Sequence, residues 1–286
     1  MQVLLYSWLY RVIRWVIKQG CYVWQWCWRQ PRDLEAAVNV GHTLIAGLQR
    51  CHIPVYIGKH PIDQPVDVYD LTFKNPLTSA AYEANPHMLR YFLQLGIGGI
   101  CMKTMMTQAR PGNARPRLQE VCVDGHSTIL NAMGLPGKGA EASLNALFQH
   151  NLCDFHCPIG LSIGGESPAD YWQTFQCYHQ RIAHHPHPFY YEINMSCPNT
   201  NDGQQLAESM TLLERLIRDI RQVSKRVISI KVSPDQTDDH LQTVAHLCQS
   251  IDNMMMTIGN TQFRSCEAVG LAPQAISRGG GGLSGP

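Results

Sequence analysis

Short apolar runs alternate with stretches of helical period through most of the chain. The runs fall at 77–81, 99–103, 158–163, 190–195, 227–232 and 254–259. Amphipathic stretches lie between them, near 86–95, 140–150, 168–183, 207–224 and 238–250. A repeated strand-then-helix order predicts parallel strands with helices outside them, an α/β fold. Six such units with polar residues at the strand ends favour a (β/α)8 TIM-type barrel over an open sheet. A closed barrel needs eight units. This one is therefore expected to be incomplete as given, with unpaired edges beside its first and sixth strands.

The first 53 residues follow another pattern. Ser7, Arg11, Arg14, Lys18 and Gln25 recur at three-, four- and seven-residue spacing and share one helical face. Leu5, Trp8, Leu9, Val12, Ile13, Val16 and Ile17 cover the remainder. A basic, Trp-rich amphipathic helix is the pattern of a segment lying in a membrane interface. Three cations inside the apolar stretch argue against a spanning helix. The plainer alternative is a helix that covers a groove on its own protein. Asp33 reads as the N-cap of a second helix running to about Cys51. A linker near 54–65 then separates a helical membrane-associating segment, 1–53, from the body, 66–286.

Composition narrows the function. The 286 residues carry a net charge of +1, with 44% hydrophobic and only 16% charged positions. This excludes a disordered chain, and it excludes a nucleic-acid binder on charge. Eleven cysteines without a tight repeat, and no recognisable signal peptide, point to reduced thiols in a cytosolic setting. Cys153, His156 and Cys157 would make a metal triplet, but no second cluster completes it, so core cysteines and no bound metal are expected. The His184-His185-Pro186-His187 run reads as a solvated loop. Gly279 to Gly282, followed by Leu283-Ser284-Gly285, reads as a phosphate-cradling nest or as a flexible tail.

The chemistry gathers where strands end. Lys103-Thr104 closes the second run, Asn194 to Asn199 follows the fourth, Lys231 lies in the fifth, and Gly259-Asn260-Thr261 closes the sixth. Asn131 lies on the connection after the second. Lysines within apolar strands are costly unless an anionic group meets them. Converging asparagines can donate and accept, as a ring bearing amides and a carboxylate requires. Cys197 among them can serve as a base, since a thiol starts near pKa ~8.5 and is easily lowered. The set suits proton removal next to a carbonyl, coupled to a hydride-accepting cofactor.

Taken in order, these motifs resemble the dihydroorotate dehydrogenases. The resemblance rests on Leu71-Thr72-Phe73-Lys74-Asn75-Pro76, Arg110-Pro111-Gly112-Asn113, Asn131-Ala132-Met133-Gly134-Leu135-Pro136 and Asn194-Met195-Ser196-Cys197-Pro198-Asn199. Ile230-Lys231-Val232-Ser233-Pro234, Asn260-Thr261 and Gly281-Gly282-Leu283-Ser284-Gly285 complete it. It implies an FMN-containing barrel that oxidises dihydroorotate to orotate in pyrimidine synthesis. By position, Cys197 would remove the C5 proton while the C6 hydride leaves for the flavin. Asn131, Asn194, Asn199, Asn260 and Thr261 would hold the substrate. Ala81, Lys103, Thr104, Asn194, Lys231, Gly259, Ser284 and Gly285 would hold FMN. The Cys197 loop, Lys103 and Ser162 look like the soluble class of the family. The N-terminal helices, Asn260-Thr261 and the Gly-Gly-Leu-Ser-Gly motif look like the membrane-associated, quinone-using class. The helices favour quinone and a peripheral position on the cytoplasmic side of a membrane, with a soluble cytoplasmic enzyme as the alternative. Members of the family continue about 70 residues past the Gly-Gly-Leu-Ser-Gly motif, so a fragment or a degraded relative is expected. A dihydropyrimidine dehydrogenase-like flavoenzyme and a non-catalytic remnant are the competing readings.

Overall fold

The computed structural model of the chain describes residues 2–51, 64–195 and 209–285, with side chains from residue 5 onward. Along it run helices α1 (Gln2–Cys27) and α2 (Glu35–Arg50), strands β1 (Val66–Val68) and β2 (Leu71–Phe73), α3 (Pro86–Gln94) and β3 (Ile100–Met105). Then come β4 (Leu118–Val123), β5 (His126–Asn131), α4 (Ala140–Gln149), β6 (Ile159–Ile163), α5 (Pro168–Ile182) and β7 (Phe189–Asn194). The described chain continues through α6 (Met210–Val223), β8 (Ile228–Val232), α7 (Asp238–Ser250), β9 (Met254–Ile258), β10 (Gln262–Ser265) and β11 (Gly280–Ser284). These residues form two compact units that do not follow chain order. One draws on 1–60, 113–133 and 263–286, the other on 61–112 and 134–262.

The second unit carries the strand–helix alternation. Its parallel sheet has the order β3-β6-β7-β8-β9, with each new strand added beside the last. Every expected helix is present within a few residues of its predicted bounds. Apart from one irregularity in β3, side chains alternate across the sheet. Ile159, Leu161, Ile163, Tyr191, Ile193, Ile228 and Ile230 join a continuous apolar core that the helices cover. The opposite face carries Ser162, Glu192, Asn194, Ser229 and Lys231, all buried.

The expected first strand, 77–81, is a correction. It is reduced to a single parallel bridge, Thr78 to Gly99. Pro76 removes a donor at its start, and the chain turns at once, with Tyr82 N–H donating to Ala80 O at 2.9 Å.

The first unit is built on an antiparallel sheet of order β10-β11-β5-β4. The turn between β4 and β5 is Asp124-Gly125, both with positive φ (49° and 79°). That is the two-residue hairpin connection whose twist matches the strands it joins. β11 lies antiparallel to β5 with Gly282 opposite Asn131. The Gly279–Gly282 segment is therefore neither a nest nor a tail. Glycine is required at Gly281 because a Cβ there would come within 2.1 Å of Asn131 O.

The N-terminal helices complete this unit, and they do so polar side inward. Arg14 and Lys18 both pair with Glu120 on β4. Burial pushes the Glu120 carboxyl up, but hydrogen bonds from Lys18 and Ser127 and the two cationic charges outweigh it and hold it below its ordinary value. Gln25 is buried and exchanges two hydrogen bonds with the Asp33 backbone, at 2.8 and 3.2 Å. The opposite side of α1 exposes Leu5, Leu9, Val16 and Val23; Trp8, Trp15 and Trp26 flank it on one edge and Trp24 on the other, all exposed, Trp26 by 81%. Among the described residues no helix is long and apolar enough to cross a membrane.

Asp33 sits one position before the capping residue, which is Leu34. Its carboxylate still accepts the Glu35 N–H at 2.7 Å. It also accepts the Arg117 N–H at 2.9 Å and Arg115 Nε at 3.3 Å, and it is 1% exposed. Asp33→Ala leaves the buried Arg117 N–H unanswered and removes one of the two carboxylates that meet Arg115. It is expected to destabilise the unit by about 2–3 kcal/mol, read as a lower urea midpoint at constant slope. An unchanged midpoint would contradict this role.

Candidate active site

The polar face of the parallel sheet is continuous from strand to strand. Thr104 Oγ1 on β3 lies 2.8 Å from Ser162 Oγ on β6. Ser162 Oγ donates to Glu192 Oε1 on β7 at 2.9 Å. Thr257 Oγ1 on β9 donates to Glu192 Oε2 at 3.2 Å and lies 2.7 Å from Ser229 Oγ on β8. One step nearer the strand ends, Asn194 Nδ2 donates to Thr104 Oγ1 at 2.7 Å, and Asn194 pairs in register with Lys231.

A bulge brings Thr104 into this row. Met102 stands opposite Leu161 and Met105 opposite Ile163, so β3 has one residue more than β6 over that span. Both methionines pack in the helix-covered core, which leaves Lys103 and Thr104 between them. Strict alternation would have turned Thr104 into the core. Bulges re-aim side chains in this way beside functional sites.

Lys231 is the costly member. It is 6% exposed on this polar face, and among the described residues it takes part in no ion pair. A buried cation without a partner calls for an electron-rich or anionic ligand group beside it.

Most of the residues predicted from sequence gather here. Thr104, Asn194 and Lys231 share the polar face, and Lys103 is half-buried on β3, its N–H donating to Glu83 O at 2.8 Å. Ala81 packs against a smaller cluster of Leu71, Phe73, Cys101, Tyr190 and Val227 beneath that face. Gly259, Asn260 and Thr261 follow β9 directly, with Asn260 and Thr261 half-buried. Asn131, Ser284 and Gly285 belong to the other unit. There Asn131 Nδ2 donates to Gly282 O at 3.0 Å, and Ser284 Oγ donates to Ile129 O at 3.3 Å. Cys197 and Asn199 lie outside the described residues.

Sequence reasoning passed over Glu192, Ser229 and Thr257, and took Ser162 only as a mark of likeness. A signal existed. Tyr190, Glu192 and Asn194 alternate with Tyr191 and Ile193, and Ser229 and Lys231 alternate with Ile228, Ile230 and Val232. Of the cysteines of the suspected metal triplet Cys153 is half-buried and Cys157 buried, and both thiols are pushed up to about 11, chiefly by burial. The histidine run is a loop with His184 and Pro186 exposed, and only its last member departs from the solvated reading. His187 is buried, and the Arg226 guanidinium clamps the carbonyls of Ile182, His185, His187 and Phe189 around it.

A parallel strand–helix sheet with polar side chains gathered towards the C-terminal ends of its strands is the architecture of the (β/α)8 barrels. The family model described as dihydroorotate dehydrogenase matches residues 65–286, and the chain belongs to that family. A relative from Agrobacterium fabrum, named dihydroorotate dehydrogenase (quinone), is 29% identical over 84% of this chain and 66% of its own length. One from Marinomonas sp., of the same name, is 31% identical over 88% of this chain and 74% of its own. The chain thus spans about two thirds of the first of these. The fold is similar to that of the ligand-free dihydroorotate dehydrogenase of Eimeria tenella, with a TM-score of 0.68. That match, at 20% identity, covers 86% of this chain and 74% of the other.

Proposed function

We propose that the chain carries the FMN site and the proton-transfer machinery of a dihydroorotate dehydrogenase, oxidising dihydroorotate to orotate in pyrimidine synthesis with a membrane quinone as acceptor. The observation that carries this reading is the buried ammonium of Lys231, without an ion pair among the described residues, within a row of hydroxyl and amide groups at the strand ends. That donor set fits a planar ring edge of carbonyls and N–H groups, as a flavin presents. Lys103, Thr104, Asn194 and Lys231 would hold the ring, with Ala81 and Gly259 lining it, and the family resemblance assigns Ser284 and Gly285 to the phosphate. Bound FMN supplies a two-electron acceptor.

The chain's own residues do the rest. Cys197 takes the proton from substrate C5 as the C6–H bonding pair departs as hydride. Asn131, Asn194, Asn199, Asn260 and Thr261 grip the substrate's carboxylate and ring amides. The Lys231 ammonium offsets the negative charge that reduction places on the ring beside it. The test is an anaerobic visible spectrum of the purified chain before and after dihydroorotate. A flavin band that bleaches supports the reading. A chain that remains colourless after added FMN overturns it for these residues.

Residues 1–53 are proposed to hold the protein on the membrane, peripherally and on its cytoplasmic side. The support is the orientation of α1, whose cations face Glu120 and whose tryptophans face solvent. Trp8, Trp15 and Trp26 fall on one side of the helix. Replacing all three by Glu is expected to lower co-sedimentation with liposomes at least tenfold and to leave flavin reduction unchanged. Binding that survives the replacement would remove α1 from the membrane contact.

A further inference from the structure

Four hydroxyls are organised around one buried carboxylate. Glu192 is 3% exposed and receives Ser162 and Thr257 directly, with Thr104 behind the first and Ser229 behind the second. Cys101 and Tyr190 lie beside the same carboxylate, and the charge of Lys231 also acts on Cys101. Burial above all, with the Glu192 charge adding to it, keeps the thiol and the phenol protonated.

A carboxylate only accepts, and each hydroxyl has one hydrogen to give. Ser162 gives its hydrogen to Glu192, so towards Thr104 it must accept. Thr104 then gives its hydrogen to Ser162 and accepts from Asn194 Nδ2. The direction is set along the whole row, from Asn194 through Thr104 and Ser162 to Glu192.

We infer that Glu192 is a positioning residue: through Ser162 and Thr104 it turns the Asn194 amide so that Nδ2 points into the sheet, which fixes the orientation in which that amide meets a ligand at the strand ends. This rests on the reading of the strand ends as the flavin and dihydroorotate site. The branch through Thr257 ends at Ser229 and reaches no candidate ligand-binding side chain by a hydrogen bond among the described residues.

Two experiments decide it. The first is a double-mutant cycle on urea stability with Glu192→Gln and Asn194→Ala. It is expected to show a coupling of about fivefold in the unfolding constant, whereas independent sites combine additively. The second uses the flavin-loaded protein. Ser162→Ala is expected to raise the KM for dihydroorotate about tenfold while the limiting rate of flavin reduction stays within twofold. Ser229→Ala is expected to move neither.

Additive stabilities overturn the directed row. Coupled stabilities with an unmoved KM overturn the orientation of Asn194 towards substrate. If the parent chain takes up no flavin, the functional reading has failed, and the cycle still decides the row by itself.

Discussion

Cys197→Ala is expected to leave the bound flavin's spectrum intact and to slow its reduction by dihydroorotate about 10²–10⁴-fold, the usual worth of a positioned general base. The reasoning is chemical. Hydride does not leave C6 readily while the C5–H bond holds its proton, and methyl in place of the thiol accepts none. A thiol loses its proton near pKa ~8.5 in the absence of help, and an aliphatic hydroxyl does so far less readily. Cys197→Ser is therefore expected to keep part of the rate and to move its rise to higher pH. Anaerobic stopped-flow at several pH values measures both. An alanine variant within threefold of the parent would remove Cys197 from the reaction.

Lys231→Met separates binding from folding. The lysine is buried without an ion pair among the described residues, so the ammonium costs the empty fold stability. Methionine has a similar volume and no charge. The flavin-free variant is expected to melt at the same temperature as the parent or higher. Flavin affinity and reduction rate are expected to fall about 10²–10³-fold, because the charge that offsets the reduced ring has gone. Flavin titration and thermal unfolding on the same sample read the two effects. A variant that is both less stable and equally able to bind flavin would make Lys231 a structural residue.

Particular elements show what the sequence carried. The helices 86–95, 140–150 and 168–183 were legible because a covered helix must repeat its apolar positions at 3.6, and because Ser167 forms a full capping box at the start of α5. The 77–81 strand was misread because apolar content alone does not show that Pro76 and an immediate turn leave room for only one bridge. The Asp124-Gly125 hairpin carried a local signal and was overlooked while attention stayed on parallel units. The site was half visible. Thr104, Asn194 and Lys231 announce themselves as polar residues in apolar strands, but Glu192 matters only through the hydroxyls of neighbouring strands, and cross-strand register is not local information. The bulge at Met102–Met105 is likewise invisible until β6 is beside it.

The distribution of indoles sets what light can report about this molecule. Five of its six tryptophans lie within the first 28 residues, and the sixth is Trp172 on α5. Intrinsic emission will follow the surroundings of α1 and will be nearly blind to the strand ends where flavin is proposed to bind. A blue shift on adding vesicles would register helix burial, whereas an emission melt would date the loss of the helix-bearing unit. Events at Lys231 and Asn194 need a second, visible-wavelength channel.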